Sequence, residues 1–90
     1  MLKINVSKHA AKFLKRIHQK HGRQVAKKLI ALQGNPVPND SVQLKGKYNK
    51  YRRSDIGEYR VIYYVQAAFL YIALIGKRND DKIYKILERQ

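Results

Sequence analysis

Gly57-Glu58-Tyr59-Arg60-Val61-Ile62-Tyr63-Tyr64-Val65-Gln66-Ala67-Ala68-Phe69-Leu70-Tyr71-Ile72-Ala73-Leu74-Ile75-Gly76-Lys77-Arg78 holds two β-branched and aromatic runs on either side of Ala67-Ala68. Glu58 to Gln66 and Phe69 to Ile75 read as strands. Both are apolar at consecutive positions, as in central strands covered on part of each face. Ala67-Ala68 is a poor but feasible turn between them. In a hairpin the start of one run lies beside the end of the other, so Arg60 and Arg78 meet at one edge of a sheet. A three-residue turn sets Gly76 opposite Arg60 and Glu58 opposite Arg78. A two-residue turn brings Lys77 to that face instead, unless a bulge at Gly76 restores the register.

Upstream, Tyr51 to Asp55 reads as a short strand, and Val42-Gln43-Leu44 as a possible edge strand in the otherwise loop-like stretch from Pro36 to Tyr48. Leu2, Ile4 and Val6 alternate with Lys3 and Asn5, the period of a half-buried strand. Ser7 then stands as a helix N-cap. Ala10, Phe13, Leu14 and Ile17 fall at i, i+3, i+4 and i+7, which predicts an amphipathic helix ending near His21-Gly22. Val25, Ala26, Leu29 and Ile30 stripe a second helix, stopped by Gly34, Asn35 and Pro36. Downstream, Asn79 or Asp80 caps a last helix with Ile83, Ile86 and Leu87 on its buried side. The expected architecture is α+β, in the order β-α-α-β-β-β-α: an N-terminal strand and a two-helix hairpin packed on a mainly antiparallel sheet, then a short C-terminal helix.

Ninety residues with a hydrophobic fraction of 44% suit one domain spanning 1–90. The 20 Lys+Arg against 6 Asp+Glu give a formal charge of +14. Such a charge attracts phosphate polyanions or an acidic protein. It is spread over helices, loops and strands rather than along one helical face, which argues against a membrane partner. Without cysteine there is no disulfide, thiolate metal site or thiol nucleophile. No signal-like or membrane-spanning segment stands out, so a cytoplasmic location is expected.

Lys45, Lys47, Lys50, Arg52, Arg53 and Arg60 interleave with Tyr48, Tyr51 and Tyr59. Cations beside aromatic faces suit single-stranded nucleic acid, although a solvated loop beside an edge strand has the same composition. Arg60 is sharper, because it interrupts an apolar run and must face a ligand or pair with Asp55 or Glu58. Tyr84 sits in the first turns of the last helix, either packed with its hydroxyl at the surface or serving a site near Arg78. His9, His18 and His21 lie along or at the end of the first helix with no carboxylate ligand in the same segment. They are expected at the surface, with no bound metal and no cofactor.

Lys45-Gly46, Tyr51-Arg52-Arg53, Ile56-Gly57-Glu58-Tyr59-Arg60-Val61-Ile62-Tyr63, Gly76-Lys77-Arg78 and Tyr84 together resemble the RelE-like branch of the RelE/ParE toxin superfamily over essentially the whole chain. The resemblance implies a type II toxin–antitoxin toxin that cuts mRNA on the ribosome and is neutralised by an acidic cognate antitoxin. It implies that Arg60 binds the scissile phosphate, Arg78 acts on the leaving group and Tyr84 orients or activates the 2′-hydroxyl. Arg53 matches one member of a basic pair that assists them, while Tyr51 replaces the other. Lys45, Lys47, Lys50, Tyr51, Arg52 and Lys77 are then the expected RNA-binding residues. With Tyr51 in place of a cation, Tyr84 or a loop lysine (Lys47 or Lys50) is left as general base, since arginine is a poor proton shuttle. The alternatives are a toxin of this fold that has lost its activity, or a ParE-like one that binds DNA gyrase.

Overall fold

The computed structural model describes residues 1–89. Its elements are β1 (Lys3–Val6), α1 (Lys8–Arg16), α2 (Gln19–Gly34), β2 (Ser41–Gln43), a 3-10 turn (Gly46–Tyr48), β3 (Arg52–Ile56), β4 (Tyr59–Gln66), β5 (Phe69–Lys77) and α3 (Lys82–Glu88). The five strands form one sheet in the order β1-β5-β4-β3-β2. Among the described residues, only the β1–β5 pairing is parallel. The α+β architecture is as expected, with the edge strand β2 formed as well.

The central hairpin resolves its register in an unexpected way. Gln66 pairs with Phe69, so Ala67-Ala68 is a two-residue turn, yet Arg60 still pairs with Gly76. Ile62 pairs with Leu74 and Tyr63 with Ile72, which makes Ala73 the extra residue of a bulge. The correction lies at Ala73 rather than at Gly76. Ser7 supplies a reason: while its oxygen caps α1 by accepting from the Ala10 N–H (3.1 Å), its hydroxyl donates to the Ala73 carbonyl (2.6 Å). A carbonyl at a disrupted ladder position is thereby satisfied.

The helical hairpin breaks earlier than the glycine signal suggests. Ile17 is extended (ψ 159°), ending α1 at Arg16. His18 caps α2, its Nδ1 accepting from the Lys20 N–H at 3.1 Å. Gly22 lies inside the first turns of α2, where its N–H bonds the His18 carbonyl. A local imidazole cap here outweighs the helix-breaking tendency of glycine.

Side chains alternate across the sheet and divide it into two faces. On one, Val61, Tyr63, Leu70, Ile72 and Ile75 pack with Ala10, Val25, Leu29 and Leu32 of α1 and α2. Tyr63 is fully buried and its hydroxyl donates to the Pro36 carbonyl at 2.7 Å, pinning the loop that leaves α2. On the other, Ile62, Ala73 and Leu74 are covered by Ile83 and Leu87 of α3, with Leu44, Tyr48 and Tyr51 closing the margin. Gly76 lets α3 come near: a Cβ there would meet Ile83 Cδ1 at 3.2 Å.

Candidate functional site

Two turns bring the site together. Gly57 adopts φ +57°, which suits the first position of the two-residue loop Gly57-Glu58 between Ile56 and Tyr59. That loop sets Asp55 directly opposite Arg60. At the far end of β5, the Arg78 N–H bonds the Glu58 carbonyl at 2.9 Å, so Arg78 leaves the sheet beside the start of β4. Asp80 then accepts from the Lys82 N–H (3.0 Å) at the start of α3, and the helix carries Tyr84 back over β4. Asp81, one residue beyond the expected caps, holds the N-cap position without a side-chain bond.

Arg60 is the hub of the site. Its Nε donates to Asp55 Oδ1 at 2.7 Å, its Nη2 to Oδ2 at 3.2 Å, and its Nη1 to the Tyr84 hydroxyl oxygen at 2.8 Å. The Arg60 side chain is 14% exposed and that of Asp55 39%. The Asp55 carboxyl is held below its ordinary pKa, first by the hydrogen bonds from Arg60 and then by the charges of Arg60, Arg53 and Arg78, against a desolvation effect of opposite sign. Arg60 is in turn held more firmly charged, chiefly by its bond to Asp55. Three guanidinium groups therefore act on one carboxylate, with a phenol hydrogen-bonded to the central one. The pairing of Arg60 with Asp55, one of the two readings open in the sequence, coexists with the convergence of Arg60 and Tyr84.

Along the same face, Tyr51, just before β3, Tyr64 of β4 and Tyr71 of β5 form a row. Tyr51 meets Tyr64 edge-on at 5.4 Å, and Tyr64 stacks on Tyr71 at 4.8 Å. Lys50 Nζ lies 5.0 Å from the Tyr51 ring centre and 4.5 Å from that of Tyr64. Lys47 Nζ lies 5.2 Å from the centre of Tyr48. Tyr64 is four residues along β4 from Arg60, about 13 Å. Tyr64 and Tyr71 carried no sequence signal beyond strand propensity; their place in the row follows from register alone.

Other expected residues lie elsewhere. Arg52 turns to the helical face, where its Nε and Nη2 bond Ser41 Oγ at 3.1 and 2.9 Å and so tie β2 to β3. Lys77 pairs with Tyr59 in the β4–β5 register and is exposed on that same face. Lys45 is exposed before the 3-10 turn. Tyr59 is 6% exposed with its hydroxyl 2.8 Å from His21 Nδ1, so its ring is part of the core rather than a stacking surface. His21 is thus a half-buried tether, and His9 lines a groove with Phe13, Ile83 and Ile86, while His18 is exposed.

Comparison with known proteins places the fold. Residues 4–82 match the family described as the ParE toxin of the type II toxin–antitoxin system parDE. A comparison with curated protein sequences found no match. Among solved structures, RelE in the archaeal RelE–RelB complex of Pyrococcus horikoshii is 26% identical, with a TM-score of 0.74 over 86% of this chain and 94% of that one. The isolated RelE toxin of Escherichia coli is 17% identical, with a TM-score of 0.76 over 99% and 97% of the two chains. A chain of the YoeB–YefM complex of Staphylococcus aureus is 21% identical, with a TM-score of 0.69 over 87% and 98%. Since the family match runs from β1 into α3, and so takes in the whole sheet and the arginine-bearing strand ends, the chain belongs to the RelE/ParE superfamily, as a toxin of a type II toxin–antitoxin system with its likeness on the RelE side.

Proposed function

We propose that this toxin is a ribosome-dependent mRNA endonuclease that arrests translation by directing a ribose 2′-oxygen onto the adjacent phosphate. The observation that carries the reading is the 2.8 Å hydrogen bond from Arg60 Nη1 to Tyr84, set in a cluster to which Arg53 and Arg78 add charge. Attack by the 2′-oxygen forms a new O–P bond and breaks the bond to the 5′-oxygen. It needs a proton acceptor at the 2′-hydroxyl, a donor for the departing 5′-oxygen and cations for the charge that grows on the phosphoryl oxygens. Arg60 and Arg53 serve the phosphate, and Arg78, beyond the end of β5, steadies the charge on the departing 5′-oxygen, which takes its proton from water. Tyr84, reacting as phenolate, takes the 2′-hydroxyl proton and becomes the phenol; its oxygen accepts from the Arg60 guanidinium, whose positive charge faces that phenolate. Lys47 and Lys50 lie over tyrosine rings along the face, better placed to hold flanking RNA than to move that proton.

The partners in this reading are the ribosome with its mRNA and an acidic antitoxin, met in the cytoplasm. P. horikoshii RelE was solved in complex with RelB and S. aureus YoeB in complex with YefM. Charge complementarity with a +14 protein favours an acidic segment that orders on contact. Mixing the purified protein with translating ribosomes should yield mRNA cut within the decoding region. The second reading, gyrase binding, draws on the parDE description of the matched family. Loss of DNA supercoiling by gyrase, with translation and mRNA intact, would decide for it.

A further inference from the structure

We infer that Asp55 is a positioning residue for this reaction: its carboxylate grips the inner, Nε–Nη2 side of the Arg60 guanidinium, presenting Nη1 to Tyr84 and keeping the outer donors open for a phosphate. The inference rests on the RNA-cleaving reading above. An arginine has five N–H donors in a rigid fork. Asp55 engages one on Nε and one on Nη2, and Tyr84 engages one on Nη1. One donor on Nη1 and one on Nη2 are left.

The direction of grip separates a positioning carboxylate from one that merely occupies the phosphate's seat. An occluding anion would take the outer Nη1–Nη2 edge, whereas Asp55 reaches the edge nearest the backbone from the neighbouring strand. Asp55 is also the stiffer partner, a short side chain on β3 held in register by the two-residue Gly57-Glu58 loop. The long Arg60 side chain is what becomes ordered. Without Asp55, Arg60 would share its surroundings with the like charges of Arg53 and Arg78, and repulsion would drive it outward, away from Tyr84. The hydrogen bonds from Arg60, helped by the charges of Arg60, Arg53 and Arg78, hold the Asp55 carboxyl ionised near neutral pH, so the grip is permanent there.

The test uses Asp55→Ala and Asp55→Asn, with thermal melts confirming the fold. Three quantities are read: the single-turnover rate constant on mRNA-programmed ribosomes at saturation, the half-saturation concentration, and the NMR signal of the Arg60 Nε–H. Asp55→Ala should lower the rate constant about 10- to 100-fold, as expected of a misplaced catalytic group, with half-saturation changed by less than about twofold. Asp55→Asn, which keeps one acceptor, should lose less. The Arg60 Nε–H should lose its protection from solvent exchange in Asp55→Ala. Faster cleavage or tighter ribosome binding by Asp55→Ala would make the carboxylate an occluding anion and overturn the inference, as would an unchanged rate constant. If the wild-type protein cuts no RNA, the functional reading fails by itself. The Nε–H signal still decides the positioning role, supporting it if protection depends on Asp55 and refuting it if protection is unchanged.

Discussion

On one face of the sheet Val61, Tyr63, Leu70, Ile72 and Ile75 disappear beneath two helices; on the other, α3 covers Ile62 and Leu74 and leaves Arg53 and Asp55 beside the half-buried Arg60. The helical face pairs several polar groups internally, through Tyr63 to Pro36, Tyr59 to His21 and Arg52 to Ser41, though Ser54 Oγ is buried there without a partner. The α3 face leaves three guanidinium groups balanced by one carboxylate. Stability is concentrated where water is excluded, and reactivity where a charged cluster can remain partly hydrated. The second face can hold concentrated positive charge because the first carries most of the burial.

The largest expected effects separate the faces by what they change. Arg60→Ala should lower ribosome-dependent cleavage by about 10²- to 10³-fold or more, and Tyr84→Phe by about 10²- to 10⁴-fold, the ranges for an electrostatic donor and a general base. Melting temperatures should barely move for Tyr84→Phe. Retained activity there would remove the phenol from the chemistry. Conversely, Leu70→Ala, fully buried under α1 and α2, should cost about 2–5 kcal/mol in denaturant unfolding while leaving the turnover of the folded fraction intact.

A sharper contrast comes from neighbours in sequence that point to opposite faces. Arg53→Ala should impair cleavage and leave stability nearly unchanged. Arg52→Ala should lower stability by about 1–2 kcal/mol, because it frees β2 from β3 and leaves Ser41 without its donor, with cleavage retained. Equal effects on cleavage from both substitutions would erase the distinction between the faces.

Acid and turn variants should give the smallest effects. Asp55 has a folded-state pKa below its ordinary value of about 3.9, so its ion pair stabilises the protein fully above that value and less as pH falls through the folded pKa. The difference in melting temperature between wild type and Asp55→Asn should accordingly be largest at neutral pH and shrink as the pH falls below the ordinary aspartate value and through the lower folded one. Ala67 adopts φ 55° in the β4–β5 turn, a left-handed conformation that strains any residue with a Cβ. Ala67→Gly should therefore raise stability by up to about 1 kcal/mol.

The hairpin was legible through its β-branched and aromatic runs, the N-terminal strand through its period-2 alternation and the Ser7 cap through its capping residue, all signals that act locally. The bulge at Ala73 was not, since it depends on a hydroxyl sixty-six residues away in sequence. The helix break at Ile17-His18 was hidden behind Gly22 because an imidazole cap is a weaker sequence signal than a glycine. Arg60, Arg78 and Tyr84 were readable as candidates through spacing and resemblance. That Arg52 and Lys77 turn to the other face needed the registers Arg52–Tyr63 and Lys77–Tyr59, and a bulge reverses such parity without leaving a mark in composition.

The central claim is that Arg60 and Tyr84 act as one unit, and a double-mutant cycle on cleavage rate tests it most directly. Single-turnover rates of Arg60→Lys, Tyr84→Phe and the double variant would be compared with wild type on the same programmed ribosomes. Lysine keeps the charge but cannot reproduce the fork that holds Asp55 and Tyr84 together, so the account predicts a double variant about as slow as the slower single one. Losses that multiply fully, or a single variant with wild-type rate, would contradict it.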